Sequence, residues 1–232
     1  MSIYSIYFCY QPTKNMKYIG PKSSVIVPIQ KHKKSLIEHN IDYVCKLFND
    51  QDTKHHIVVG FEAEKTLKLL KDIKNLSYNI VLDYKNTNHG KIIKDTLLKY
   101  DRTKFDGLFI ISDVSYLITQ NINLDPNNNY IFTVSKDGNN QDMTCNVVEG
   151  KVEHISYGTS TNYWNGMCYF NNETIRLLKH INNLKFTDPL FLFEIVNYLI
   201  DNGIKFDHFP LKPRQYSYVS NNILKSSKVY ND

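Results

Sequence analysis

The 232-residue sequence predicts a single α/β domain. Three observations carry this. Strand-like and helix-like segments alternate along the first half. Two short unbroken apolar runs, Ile57-Val58-Val59 and Leu108-Phe109-Ile110-Ile111, have the composition of strands buried on both faces, as in a parallel sheet. No internal repeat and no linker rich in Pro, Gly or Ser divides the chain.

The composition, 42% hydrophobic and 22% charged, supplies enough apolar material for a core and excludes a disordered chain. No apolar run approaches the ~18–20 residues of a membrane helix. The first ten residues lack a basic start and a small-residue cleavage site, so they read as a strand and not as a signal peptide.

Taken in order, Ile3–Tyr10 is the first strand, followed by a polar loop from Gln11 to Lys22 and a short apolar run, Ser24–Ile29. Ser35 caps a helix, and Glu38 three residues later completes a capping box. Leu36, Ile37, Ile41, Val44, Cys45 and Phe48 share one face of that helix. His55–Gly60 is a buried strand, with His55 and His56 turned to solvent. A helix over 63–72 follows, with Leu67, Leu69 and Leu70 as its apolar side. Tyr78–Asp83 is a strand, Thr87 or Asn88 caps a helix reaching Tyr100, and Gly107–Ser112 is the strongest strand of all. This succession is a βαβαβ unit.

The second half turns β-rich, with strands at Tyr130–Ser135, Thr144–Glu149, Val152–Tyr157 and Met167–Phe170. A hairpin turn falls at Glu149-Gly150. Helices are expected near Asn172–Ile181 and Asp188–Asn202, the second stopped by Gly203, and a last short helix near the end.

The charge balance, 28 Lys and Arg against 23 Asp and Glu, is mildly basic and dispersed. Lys31-His32-Lys33-Lys34 reads as a solvated loop, so no nucleic-acid partner is expected. A modest positive field suits a phosphate-bearing ligand. Cys9, Cys45, Cys145 and Cys168 form no C-x-x-C pair, and buried thiols point to a reducing, cytoplasmic compartment.

Asp113 follows directly on a buried strand, where open α/β sheets bind ligands. Its hard oxygens suit Mg²⁺ bridged to phosphates, or they cap a turn. Lys22, in the loop after the first strand, is either a point charge for phosphates or a surface lysine. Asn165-Gly166 beside Trp164 either lines a sugar-sized pocket or is a plain turn. There is no G-x-S-x-G, H-E-x-x-H, P-loop or G-x-G-x-x-G, which argues against a hydrolase triad and a classical dinucleotide enzyme.

The order of several phrases carries more than any one of them: Pro21-Lys22 through Pro28-Ile29, Ser35-Leu36-Ile37-Glu38-His39, Ile57-Val58-Val59-Gly60-Phe61-Glu62-Ala63-Glu64, Asn86-Thr87-Asn88-His89-Gly90, Ser112-Asp113-Val114, Gly150–Ile155, and Asn165-Gly166 through Phe170. In this order, over about positions 1 to 205, the chain resembles the sugar-phosphate nucleotidyltransferase family, including its choline-phosphate cytidylyltransferase-like members. The resemblance implies a Rossmann-like three-layer sandwich with a mainly parallel mixed sheet, of the nucleotide-diphospho-sugar transferase type. Residues 1–115 would form the nucleotide-binding half and 116–232 the acceptor-binding half.

The resemblance also implies roles. Lys22 and Asp113 would be catalytic. Lys14, Lys17, Asn88 and Gly90 would lie at the nucleotide, and Glu149, Asn165 and Gly166 at the acceptor. Asp113 would hold Mg²⁺, with Asp207 as a substitute for the family's second carboxylate. The partners would be a nucleoside triphosphate and a phosphorylated acceptor such as a sugar-1-phosphate or phosphocholine, with no membrane and with a homo-oligomer as the family's frequent assembly.

Two departures bear on activity. Gln11–Lys17 contains no glycine and no arginine where the family carries a glycine-rich loop, and residues 214–222 contain no carboxylate. A non-catalytic binding or regulatory protein is therefore the alternative. A glycosyltransferase is a weaker third reading, because Val114-Ser115 follows Asp113 where an Asp-x-Asp pair is expected.

Overall fold

The computed structural model describes residues 2–10, 28–29, 34–48, 53–84, 86, 90–92, 95–96, 105–112, 116–118, 120–135, 143–178, 191–211 and 216–218. Among these the elements in chain order are β1 (Ile3–Cys9), β2 (Pro28–Ile29), β3 (Lys34–Ser35), α1 (Leu36–Leu47), β4 (Lys54–Val59), α2 (Ala63–Leu69), β5 (Leu76–Ile80), β6 (Gly107–Ile111), β7 (Tyr116–Ile118), β8 (Asn129–Ser135), β9 (Met143–Val148), β10 (Lys151–Tyr157), β11 (Asn162–Asn171), α3 (Asn172–Leu177), α4 (Leu192–Asp201), β12 (Phe206–Leu211) and β13 (Tyr216–Tyr218). Residues 90–92 and 95–96 are also helical.

Nine of the described strands form one sheet in the order β5-β4-β1-β6-β11-β8-β12-β10-β9. From β5 to β6 every pairing is parallel. Antiparallel β11 then joins β6 to β8, and β12 runs parallel to β8. The expected sheet was mixed and mainly parallel. The observed one is parallel in its first half and mixed in its second, because the hairpin and β11 bring antiparallel neighbours.

Side-chain alternation builds a core on each face. Along β1, Tyr4, Ile6, Phe8 and Tyr10 enter one core, while Ile3, Tyr7 and Cys9 enter the other. Ile37, Ile41 and Val44 of α1 pack on the second face. Ile92, Ile175 and the α4 residues Ile195, Val196 and Leu199 pack on the first. No described helix is long and apolar enough to cross a membrane.

Local chemistry sets the element ends. Ser35 Oγ accepts from Glu38 N–H at 3.4 Å, and Glu38 Oε2 accepts from Ser35 N–H at 2.8 Å, which is the expected capping box. Glu149 (φ 49°) and Gly150 (φ 76°) make the tight turn between β9 and β10. Gly203 (φ 85°) ends α4, and its following Ile204 N–H returns to Leu199 C=O at 3.0 Å. The Asn197 carboxamide docks α4 on β10 by accepting from Ile155 N–H and donating to Ile155 C=O, both at 2.8 Å.

Several expectations are corrected. His55 and His56 are 3% and 1% exposed and not solvent-facing. The His55 ring bridges β4 to β1 and α1. Its Nδ1 lies 2.8 Å from Ser5 Oγ and 3.2 Å from Tyr7 Oη, and its Nε2 lies 3.4 Å from Cys45 Sγ. Ser5 Oγ also donates to Lys54 C=O at 3.2 Å. The second helix is shorter than expected, and Leu69 is exposed while Thr66 is buried. β5 begins at Leu76 and ends at Ile80. β12 was not foreseen. The helix expected from Thr87 or Asn88 to Tyr100 lies only partly within the described residues, and the last short helix lies outside them.

Candidate functional site

The chain leaves β1, adds β4 and then β5 on one side, and returns to place β6 on the other side of β1. The strand order therefore reverses between β1 and β6. In open α/β sheets a ligand crevice forms at such a reversal, outside the carboxyl ends of the strands. The residues that end these strands are Cys9 and Tyr10 on β1, Ile111 and Ser112 on β6, and Val59 and Gly60 on β4.

Two close approaches shape this end of the sheet. A β-carbon on Gly60 would lie 2.8 Å from Tyr10 C=O and 2.9 Å from Tyr84 Cβ. Tyr10 C=O also accepts from Phe61 N–H at 2.9 Å, which binds the exit of β4 to the exit of β1. At Gly166 (φ 77°) a β-carbon would lie 1.7 Å from Ser112 Oγ, and Gly166 C=O accepts from Ser112 N–H at 3.1 Å. Only glycine meets both the backbone conformation and the contact there.

Asn165 and Gly166 are not a turn ahead of a strand. They are extra residues inside β11, which pairs Trp164 with Thr133 and Met167 with the adjacent Phe132 of β8. Asn165 Oδ1 accepts from Met167 N–H at 3.1 Å, and Trp164 Nε1 donates to Met167 C=O at 3.0 Å. These local bonds hold a bulge that presses the Gly166 backbone against Ser112. Asn165 is 4% exposed, so its carboxamide shapes the strand from inside. A sequence signal existed, since a glycine inside an apolar strand pattern marks a bulge.

Of the anticipated site residues, the structure brings Asn165 and Gly166 to the carboxyl end of β6. Gly90 is buried at the start of the helical residues 90–92. Lys14, Lys17, Lys22, Asn88 and Asp113 lie outside the described residues, although Asp113 is the residue after Ser112.

Glu149 and Asp207 are elsewhere. Asp207 pairs with Tyr130 in register, toward the amino end of β8, and there it forms an ion pair with Lys151 and accepts from Asn128 Nδ2 at 3.1 Å. Glu149 sits beside it, because His208 N–H donates to Gly150 C=O at 2.9 Å. Tyr130 also pairs with Tyr169, three positions along β11 from Gly166. Asp207 is thus displaced about 10 Å along the strands and two strands across the sheet from Gly166. Asp207, expected as a second metal carboxylate, and Glu149, expected at the acceptor, thus stand together at the end of the sheet away from Gly166. An open groove of about 640 Å³, lined by Asp106, Asn127, Asn171, Glu173 and Arg176 among others, also lies at this opposite end.

Among the described residues, no three His, Cys, Asp or Glu side chains cluster as a metal site. Burial raises the pKa of the Cys9 and Cys168 thiols, and that of Cys145 to about 12, so these three are packing groups and not nucleophiles.

The arrangement has the fold of the sugar-phosphate and phosphocholine nucleotidyltransferases. The nucleoside-diphosphate-sugar pyrophosphorylase from Vibrio cholerae superposes with a TM-score of 0.72 at 11% identity, covering 96% of this chain and 98% of that one. CTP:phosphocholine cytidylyltransferase from Streptococcus pneumoniae gives 0.70 at 13% identity, covering 97% of both chains. HddC from Yersinia pseudotuberculosis, complexed with GMP-PN, gives 0.61 at 12% identity, also covering 97% of both. No family profile matches the sequence, and no curated protein matches it at a significant level.

Proposed function

We propose that the chain is a nucleotidyltransferase that joins a nucleoside monophosphate, taken from a nucleoside triphosphate, to a sugar-1-phosphate or phosphocholine-like acceptor. One observation supports this reading above the others. The β1–β6 reversal places Ser112, the residue before Asp113, beside the exit of β1 that leads to Lys22. A carboxylate and an ammonium group from these two exits would face one polyphosphate.

In the reaction an acceptor phosphate oxygen attacks the α-phosphorus in line. The bond from that phosphorus to the β-phosphate bridging oxygen breaks, and pyrophosphate leaves with the electron pair. The protein has little covalent work to do, so positioning and charge neutralisation carry the catalysis. Lys22, with Lys14 or Lys17, would neutralise the phosphates. Asn88 and Gly90 would lie near the base, and the Gly166 backbone, held by the Asn165 bulge, near the acceptor.

Mg²⁺ fits only in part. The described residues assemble no donor set for it, and Asp207 is committed to Lys151 at the far end of the sheet. Asp113, with substrate phosphates and water, would be its holder, and the ion would supply charge neutralisation.

A second reading draws on that same displacement of Asp207. With one carboxylate and a loop without glycine, the chain would be a non-catalytic protein that keeps the fold to bind a ligand. Pyrophosphate release across a panel of nucleoside triphosphates with sugar-1-phosphates and phosphocholine separates the two. Release with at least one pair supports the transferase. Nucleotide binding with no release from any pair supports the second reading.

A further inference from the structure

Two open grooves adjoin at the amino ends of β6, β8 and β12, opposite the β1–β6 crevice. They hold about 640 and about 330 Å³ and share Asn127, Asn171 and Glu173. Part of their wall is locked by its own bonds. Asp125 Oδ1 accepts from Asn127 N–H at 2.9 Å and from Asn127 Nδ2 at 3.0 Å. Asn171 Nδ2 donates to Asn127 C=O at 2.6 Å, and Asn129 Oδ1 accepts from Asn171 N–H at 2.9 Å. Asp106 Oδ2 accepts from Ser2 N–H at 2.6 Å, and Asp207 is held by Lys151 and Asn128.

Other groups in the cleft are unengaged. Among the described residues nothing bonds the Asn172 carboxamide, the Glu173 carboxylate, the Arg176 guanidinium or the Lys205 ammonium. Thr174, which lines the smaller groove, is 1% exposed, and its Oγ1 has no hydrogen-bond partner. A buried hydroxyl left this way costs free energy until a ligand group or a bridging water reaches it. The charged residues that line the grooves, among the described ones, are Asp106, Glu173 and Asp207 against Lys151, Arg176 and Lys205, so the formal charge balances. There is no excess positive charge for a phosphate or a nucleic acid. Pro126 and Ile204 are the apolar side chains among these lining residues, too few for a lipid or for an anchoring peptide side chain. The lining suits a neutral ligand dense in groups that both donate and accept.

We propose that this cleft binds a neutral saccharide, with vicinal hydroxyls held between Glu173 and Arg176. The two residues are three apart on α3 and so share a face, and no ion pair joins them. The carboxylate accepts from two neighbouring hydroxyls, and the guanidinium fork donates to two sugar oxygens. The Asn172 carboxamide supplies one further donor and acceptor, and the Thr174 hydroxyl gains the partner it lacks. The cleft stands at the other end of the sheet from the crevice, so saccharide binding here does not rest on the transfer reaction.

Nuclear magnetic resonance titration of the isotope-labelled full chain with glucose, galactose, mannose and maltose, and separately with inorganic phosphate, tests this. At least one sugar is expected to give saturable shifts at residues 126–129, 171–176 and 203–207, and phosphate to give none there. Glu173→Ala and Arg176→Ala, both at exposed positions, are each expected to weaken the sugar at least fivefold with an unchanged far-UV circular dichroism spectrum. Thr174→Val, which removes only the hydroxyl, is expected to weaken it severalfold without lowering the melting temperature. Sugar shifts that are absent, or confined to Ser112 and Gly166 at the crevice, would overturn the proposal. So would phosphate binding in the cleft more tightly than any sugar, or an affinity that none of the three variants changes.

Discussion

Ser112 Oγ occupies the place where a β-carbon on Gly166 would stand, with only 1.7 Å between the two positions. This contact joins the carboxyl end of β6 to the bulge of β11, and it fixes the backbone that leads into Asp113. Gly166→Ala is therefore expected to destabilise the fold by about 2–4 kcal/mol, from the clash and the left-handed φ together. Turnover should fall further than stability accounts for. Adding Ser112→Gly should recover part of the stability lost to the clash but not the part due to φ. Chemical denaturation of the three variants measures both contributions.

His55 makes stability depend on pH. Burial lowers its pKa from 6.5 to about 4. The unfolded chain binds a proton near pH 6.5 that the folded chain refuses until about pH 4. The contribution of this neutral ring is thus fully present above pH 6.5, is lost as pH falls toward 4, and amounts to roughly 3 kcal/mol. Denaturation midpoints between pH 4 and pH 7 should fall steeply for the wild type. His55→Gln should be less stable at pH 7 and should show a shallower slope.

The two histidines also mark where sequence reasoning reached its limit. A buried strand was readable from Ile57-Val58-Val59, but nothing in the sequence announced that Ser5, Tyr7 and Cys45 would converge on His55 from other elements. The α1 capping box, the Glu149-Gly150 hairpin and the Gly203 stop were readable because each rests on residues within five positions of one another. β12 was hidden by Asp207, His208 and Pro210, which break an apolar strand pattern. The place of Asp207 depends on strand order, which local spacing does not encode. Asn165-Gly166 was noticed as a feature, yet only pairing with β8 distinguishes a bulge from a turn.

Asp207→Asn should leave transfer activity unchanged, because the residue sits at the amino end of β8 in an ion pair with Lys151. Lys151 is 45% exposed, so the pair contributes about 1 kcal/mol or less. Steady-state kinetics at varied Mg²⁺ should overlay those of the wild type. A raised Mg²⁺ requirement would return Asp207 to the site.

Glu149 stands in a left-handed conformation that asparagine and glycine tolerate better. Glu149→Asn should create an Asn-Gly turn and raise stability by about 0.5–1 kcal/mol. The acceptor KM should not move, since the turn lies beside Asp207 and away from Gly166. Thermal melting and acceptor titration of this variant check the two parts separately.

The most direct measurement is pyrophosphate release by Asp113→Asn beside the wild type, with a nucleotide and acceptor pair that the wild type uses. The carboxylate after Ser112 is expected to be needed for the reaction, so the rate should drop at least about a hundredfold, ~2.7 kcal/mol of barrier, with the fold intact. A variant that turns over at the wild-type rate would contradict the account.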